Sequence, residues 1–223
     1  MLVGKIMTPN PVTISPETSH REAFELMRAR KVRRLPVLDR GRLVGIVSEA
    51  DLLSTQPSPA TSLSIHEIYS LLEKLKVRQF MASPVLTVSE DCPVEAAANV
   101  MIENRISSLP VMRDETLVGI ITETDIFKAM VNVLGGGQDG LRFSVRMPDV
   151  PGKLAQVANA VAQAGGNIAS VVVWKTDDMD SSLITIKERG ADAEKLRQLL
   201  NEVGAEVVEM LTASVCTVRA FGK

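Results

Sequence analysis

The feature that most constrains the fold of this 223-residue chain is an internal repeat with a constant offset. The segment from Leu35 to Asp51 returns 74 residues later as the segment from Leu109 to Asp125, and Met81 stands in the same relation to Met7. Self-similarity at a fixed period indicates one structural unit used more than once, and such a unit cannot bury its apolar face alone. The sequence therefore predicts two like domains that pack against each other.

Composition excludes several classes of protein. The chain is 45% hydrophobic but only 3% aromatic, so its core must be aliphatic, and few rings are available to stack on bases. A net charge of −2 gives no general attraction to nucleic acid or to a membrane surface. No apolar run approaches the ~20 residues that span a bilayer, and no signal-peptide pattern opens the chain. We therefore expect a cytoplasmic protein that binds neither nucleic acid nor a membrane.

The sequence shows no motif of a catalytic or metal site. Cys92 and Cys216 fall in different predicted domains without CxxC spacing, so neither a disulfide nor a zinc site is expected. His20 and His66 have no second ligand nearby, and the chain lacks a phosphate-binding Walker loop and a nucleophile elbow. We therefore predict no catalytic residues, no metal and no catalytic cofactor.

Within each copy, the pattern predicts a helix, two strands and a second helix, and a short strand precedes the first helix of the first copy. Thr18 is the predicted N-cap of a helix that ends near Arg30, whereas in the second copy Cys92 takes the cap position and Pro93 the first helical position. The predicted strands of the first copy are 12–14, 34–38 and 43–47.

The fold class predicted for the whole chain is α/β (α+β), in three domains. We predict a first domain at 1–56, a linker with a helix at 57–76, a second domain at 77–134, a third at 140–212 and a tail at 213–223. Four glycines within 135–140 indicate a flexible linker. Beyond it, the hydrophobic periodicity predicts βαββαβ, the ferredoxin-like order with an antiparallel sheet and both helices on one face.

Two short motifs end the repeated segments, Ser48-Glu49-Ala50-Asp51 and Thr122-Glu123-Thr124-Asp125. One interpretation is a capping box, in which the hydroxyl caps a helix and the acidic residue reaches back to the free backbone N–H. The other is a ligand site, because a helix N-terminus attracts anions and a carboxylate there can bind a ribose diol. The two interpretations are compatible.

Each copy resembles a cystathionine-β-synthase (CBS) domain. The resemblance lies in Leu35-Pro36-Val37 and Leu109-Pro110-Val111, in the strands that contain Gly45 and Gly119, and in the two Ser/Thr-x-x-Asp motifs. A tandem pair is similar to the Bateman module. The resemblance implies that an adenine nucleotide such as AMP, ADP or ATP binds as a regulatory ligand, with its ribose against Ser48, Asp51, Thr122 and Asp125.

A basic run, 28–34, holds five cations in seven residues. Arg28 and Arg30 suit a helix C-terminus, where cations complement the helix dipole. Arg33 and Arg34 precede Leu35-Pro36, where nucleotide-binding CBS domains similarly carry residues that reach phosphate, and arginine forms strong contacts with phosphate. The second copy has Ser107 and Ser108 at these positions, so we expect two unequal clefts.

The third domain carries Asp149-Val150-Pro151-Gly152-Lys153-Leu154 and Gly165-Gly166-Asn167-Ile168. As local structure these are a turn into a helix and a helix stop. Together they resemble an ACT domain. The resemblance implies that an amino acid or other small metabolite, if one binds, lies between paired domains and contacts Asp149, Gly152, Leu154, Asn167 and Ile168.

A CBS pair followed by an ACT domain, with Ser64-Ile65-His66-Glu67-Ile68 before the second copy, is similar to the acetoin utilisation protein AcuB family. The resemblance implies a homodimeric, non-enzymatic sensor linked to acetoin utilisation, with an unknown protein target. The alternative is a structural adaptor that regulates a partner protein without binding a nucleotide.

Overall fold

The computed structural model describes residues 1–56, 64–175 and 180–212, and it divides into two compact units, Met1–Phe127 and Lys128–Lys223. The predicted tail and residues 57–63 of the predicted linker lie outside the described residues. Within the described part, no helix is long and apolar enough to cross a membrane.

The first unit contains the two repeats. Its elements are β1 (Thr8–Pro9), α1 (His20–Arg30), β2 (Arg34–Asp39), β3 (Arg42–Ser48), α2 (Glu49–Ser54), α3 (Ile65–Lys74), β4 (Val88–Ser89), α4 (Val94–Asn104), β5 (Ser108–Arg113), β6 (Thr116–Thr122) and the start of α5 (Glu123–Val133). Strands β2 and β3 form one antiparallel pair, and the order β1-β6-β5-β4 forms a four-stranded sheet. The strands predicted at 34–38 and 43–47 are confirmed, each one residue longer at one or both ends.

Two predicted details of the first copy are wrong. The N-cap of α1 is Ser19, which forms a full capping box with Glu22, whereas the Thr18 hydroxyl accepts a hydrogen bond from Ser15 N at 3.1 Å. The predicted strand at 12–14 is reduced to an isolated bridge between Ile14 and Val37.

The cap predicted for the second copy is also displaced by one residue. Pro93 is the N-cap and α4 begins at Val94, so Cys92 lies outside the helix. Cys92 is a free, partly exposed cysteine.

The leading segment of each copy packs on the other copy. In the antiparallel register Thr8 pairs with Ile120, and at the equivalent place Ala82 pairs with Ile46. Val3 is fully buried in the core of the second copy, and Val77 is fully buried in the core of the first. The two repeats therefore exchange their leading segments and share one fold.

This exchange explains the repeated glycines and methionines. A Cβ atom added to Gly45 would lie 2.9 Å from Met81 Cγ, and one added to Gly119 would lie 3.0 Å from Met7 Cγ. Both separations are shorter than ordinary van der Waals contact. Each glycine therefore leaves room for a methionine side chain of the other copy.

Gly45→Ala is expected to lower the free energy of unfolding by about 1–2 kcal/mol, because the added methyl group overpacks the site against Met81. Urea unfolding measures the loss. In a Met81→Ala background the same substitution should cost much less, because the colliding side chain is gone. An equal cost in both backgrounds would show that the glycine is not needed for this contact.

The second unit confirms the predicted ferredoxin-like order. Its elements are β7 (Leu141–Pro148), α6 (Lys153–Gln163), β8 (Asn167–Lys175), β9 (Ser181–Arg189), α7 (Ala193–Glu202) and β10 (Glu206–Leu211). The strands are antiparallel in the order β10-β7-β9-β8. Alternate residues of β7 pack in one core with Val157 and Val161 of α6 and Leu196 and Leu200 of α7, so both helices cover the same face.

The glycine-rich segment after α5 is held at its first residue. Gly135 N donates to Asn132 O at 3.0 Å, and the Gly135 carbonyl accepts a 2.9 Å hydrogen bond from Lys187 Nζ. Lys187 is only 3% exposed. At Gly135 the chain is therefore anchored to β9 rather than forming the free linker expected from its glycine content.

Candidate functional site

Two clefts in the first unit are related by the repeat. The first cleft has a volume of about 390 Å³ and the second about 450 Å³. Residues that line the first cleft include Thr8, Asn10, Val12, Lys31, Val32, Arg33, Arg34, Ile120, Thr122, Glu123 and Asp125. Those of the second include Ile46, Ser48, Asp51, Ala82, Pro84, Leu86, Arg105, Ile106, Ser107 and Ser108, with Arg34 again.

Each cleft combines parts of both repeats. The leading segment and the end of the first helix come from one copy, and the strand-to-helix junction comes from the other. Arg33 therefore lines the same cleft as Thr122 and Asp125, not the cleft lined by Ser48 and Asp51 of its own repeat. The exchanged leading segments cause this arrangement, because β1 pairs with β6.

Both junctions are capping boxes. Asp125 Oδ2 accepts hydrogen bonds from Thr122 N at 2.9 Å and from Thr122 Oγ1 at 2.7 Å. Asp51 Oδ2 accepts from Ser48 N at 2.8 Å and from Ser48 Oγ at 2.7 Å. The capping interpretation of both motifs is confirmed.

The same geometry leaves one oxygen of each carboxylate for a ligand. Both bonds to Asp125, like both to Asp51, end on Oδ2, and within the described residues neither Oδ1 atom has a hydrogen-bond partner. A carboxylate oxygen accepts two hydrogen bonds, the number that a ribose diol donates. A cap and a ribose contact can therefore coexist on one aspartate.

Three cations line the first cleft. Lys31 is the C-cap of α1 in the left-handed conformation, with φ 54° and ψ 40°. Among the described residues, neither Lys31 nor Arg33 has a side-chain hydrogen bond or ion pair. Their charges are therefore not neutralised by a direct partner, and Glu123 and Asp125 are the carboxylates that line the same cleft.

Arg34 lies between the two clefts and lines both of them. It is half-buried, and its Nη2 donates to Ser107 Oγ. Burial lowers the pKa of Arg34, the charge of Arg33 lowers that pKa further, and Glu123 and Asp51 oppose the shift. Since an arginine remains protonated in proteins, the site holds a charge that burial penalises and an anion would stabilise.

The second cleft has fewer cations. Ser107 and Ser108 stand where the first cleft has Arg33 and Arg34, so Arg105 and the shared Arg34 are the basic residues that line it. The two clefts thus differ in charge in the direction that the sequence indicates. Lys31 and Arg105 also line the clefts, and the sequence motifs did not indicate them, although both follow a helix end at equivalent repeat positions.

In the second unit, the predicted ligand residues form two separate groups. Asp149, Gly152 and Leu154 follow the end of β7, where Pro148 pairs with Ser181. Asn167 and Ile168 begin β8 beside Arg189 and Glu188, at the other end of the sheet.

Ser181 and Arg189 mark the positions of the two groups along β9, and at ~3.3 Å per residue they lie about 25 Å apart. The first group is exposed, with Asp149 Oδ2 3.3 Å from Lys175 Nζ and Leu154 43% exposed. One chain therefore does not bring the two groups together.

Comparison with known families identifies both types of domain in the chain. The CBS domain matches residues 3–57 and 77–132, and the TTHA0829-like ACT domain matches residues 139–211. The uncharacterized protein MJ1426 of Methanocaldococcus jannaschii is 33% identical over 155 residues, which are 59% of this chain and 92% of that protein. The chain belongs to the CBS-domain family, with a TTHA0829-like ACT domain after the CBS pair.

Other similar proteins match about 60% of this chain. MJ1404 from the same organism is 36% identical over 140 residues, 60% of this chain but 33% of that protein. A proposed acetoin utilization protein (AcuB) from Vibrio cholerae has a crystal structure that matches with a TM-score of 0.50 and 30% identity, over 60% of this chain and 93% of that one. CBSX2 in complex with AMP matches with a TM-score of 0.47 and 34% identity, over 58% and 96% of the two chains.

Proposed function

We propose that this protein is a non-enzymatic regulatory sensor that binds an adenine nucleotide in the first cleft. The observation that carries the proposal is the placement of Lys31, Arg33 and Arg34 in one cavity with the free Oδ1 of Asp125. A nucleotide needs donors for its phosphate and an acceptor for its ribose, and this cleft offers both.

The size and lining of the cleft fit the remaining part of such a ligand. A cavity of about 390 Å³ falls within the range of small-molecule sites. Val12, Val32 and Ile120 line it with apolar surface, which suits a purine ring. The cleft therefore offers cations, a carboxylate and an apolar wall, which are the partners that the phosphate, the ribose and the base of a nucleotide require.

The second cleft, with Ser48 and Asp51, is proposed to bind the same nucleoside with weaker phosphate contacts. Binding in either cleft leads to regulation rather than turnover. His20, which could act as a general base elsewhere, has its Nε2 2.8 Å from Leu52 O and is 1% exposed. It lines neither cleft.

Isothermal titration with AMP, ADP, ATP, NAD and S-adenosylmethionine tests the proposal. We expect saturable binding of at least one adenine nucleotide and no hydrolysis of ATP. Absence of binding by all five compounds would favour the alternative, an adaptor whose capping boxes serve the fold alone. Turnover of ATP would contradict the non-enzymatic assignment.

A small metabolite such as an amino acid is proposed as a second ligand, at the ACT domain. The two groups of predicted ligand residues, one with Asp149 and Gly152 and one with Asn167, are too far apart in one chain to bind one small molecule. Two copies could complete the site by supplying one group each. The similarity to the Vibrio cholerae protein supports a link to acetoin utilisation as part of this proposal.

Homodimerisation is the expected result of sedimentation equilibrium at micromolar concentration, with a mass of about 48 kDa rather than the 24.1 kDa of one chain. Strand β8 is an edge of its sheet, and it exposes Val173 by 50% and Trp174 by 59%. Exposed apolar edge strands favour pairing with another chain. Val173→Lys should weaken the dimer, whereas a persistent monomer in the unaltered protein would contradict the proposal.

A further inference from the structure

The wall between the two clefts consists of a hydrogen-bonded pair of side chains. Arg34 and Ser107 line both cavities, and Arg34 Nη2 donates to Ser107 Oγ. The repeat places Ser107 at the position equivalent to Arg33 and Ser108 at the position equivalent to Arg34. The wall is therefore asymmetric, with its cation supplied by the first copy.

The charges around Arg34 come from both sides of this wall. Arg33 and Glu123 line the first cleft, and Asp51 lines the second. All three act electrostatically on the Arg34 guanidinium, Arg33 by repulsion and the two carboxylates by attraction. Arg34 is thus close enough to each cleft to respond to a charge that arrives in either one.

We infer that Arg34 couples the two clefts, so that a phosphate-bearing nucleotide in the first cleft weakens the binding of a second phosphate and leaves the second cleft selective for an uncharged nucleoside. This inference rests on the proposed function. A guanidinium is a planar, rigid fork that forms directed, bidentate contacts with phosphate. One such fork cannot serve two phosphates on opposite sides of a wall at the same time.

The cations other than Arg34 determine which of the two clefts binds the phosphate more tightly. Without Arg34, the first cleft still has Lys31 and Arg33, whereas the second has only Arg105 among the described residues that line it. Phosphate binding to the first cleft also relieves the repulsion between Arg33 and Arg34, since it brings a negative charge to both. The phosphate therefore binds in the first cleft, and the second cleft still offers Asp51 to a ribose.

Titration of AMP and adenosine into single-cleft variants tests this coupling. Asp125→Asn disables the ribose contact of the first cleft, and Asp51→Asn that of the second, so each cleft can be measured alone. We expect AMP to bind the second cleft of Asp125→Asn at least about fivefold more tightly than it binds as the second ligand of the unaltered protein. Adenosine, which carries no phosphate, should show no such difference.

Arg34→Gln should abolish the difference for AMP, and Arg28→Gln, whose side chain lines neither cleft, should retain it. Equal second-cleft affinities for AMP in Asp125→Asn and the unaltered protein would overturn the inference, as would a difference that survives in Arg34→Gln. Those results would leave nucleotide binding itself intact. No binding of AMP or adenosine to the unaltered protein would instead overturn the proposed function and the inference with it.

Discussion

Replacement of Arg33 and Arg34 by alanine is expected to weaken the binding of AMP about 100-fold and that of adenosine no more than about threefold. A hydrogen bond to a charged group contributes about 1.5–3 kcal/mol, and each 1.4 kcal/mol is a tenfold change in affinity. Both arginines line the first cleft. Because adenosine lacks the phosphate, its binding should depend on Asp125 and the apolar wall instead.

The matched control is the double substitution of Arg28 and Arg30 by alanine. It removes the same charge from the same stretch of chain, but neither residue lines either cleft. The selectivity for AMP over adenosine should fall in the first double variant and persist in the control. It should also shrink at high salt, because mobile ions screen the contact. Equal losses for AMP and adenosine would exclude the two arginines as phosphate ligands.

Asp125→Ala should remove the tighter of the two binding events, whereas Asp51→Ala should leave it in place. We expect a loss of about tenfold to 100-fold for the first cleft, since both hydrogen bonds from the ribose diol would lose their acceptor. Titration calorimetry with AMP measures the two events separately. Unchanged affinity in both variants would reject the ribose role of the aspartates.

A stability control is needed, because each aspartate also caps a helix. Thr122→Ala removes a capping hydroxyl and should cost about 1 kcal/mol of unfolding free energy while leaving Asp125 Oδ1 in the cleft. If the loss of AMP binding in Asp125→Ala reflects the ribose contact, Thr122→Ala should bind AMP more tightly than Asp125→Ala. Similar losses in both would attribute the effect to the cap.

Local patterns predicted the architecture well. The repeat identified the paired domains. The alternation of Leu141, Phe143, Val145 and Met147 predicted the strand whose buried face packs against both helices of the second unit. The two errors in the helix caps occur where neighbouring residues compete for one role. Thr18 and Ser19 are both good N-caps, and the backbone of Ser15 already donates to the Thr18 hydroxyl, which leaves the cap to Ser19.

The composition of the clefts could not be predicted because it depends on tertiary exchange. A repeat offset is the same whether a leading segment packs on its own copy or on the other, so nothing local places Arg33 beside Asp125 rather than Asp51. The same is true of Arg34, whose position in both clefts follows from its bond to Ser107, 73 positions away in the chain. In the second unit, strand register separates Asp149 from Asn167, although the motif alone suggests one site.

A crystal structure of the full chain grown with AMP tests the central claim most directly. We expect AMP in the first cleft, with its phosphate against Arg33 and Arg34 and its ribose hydroxyls on Asp125. The clefts would differ in occupancy at limiting AMP, with the first filled before the second. AMP bound elsewhere, or a first cleft without AMP at saturating concentration, would contradict it.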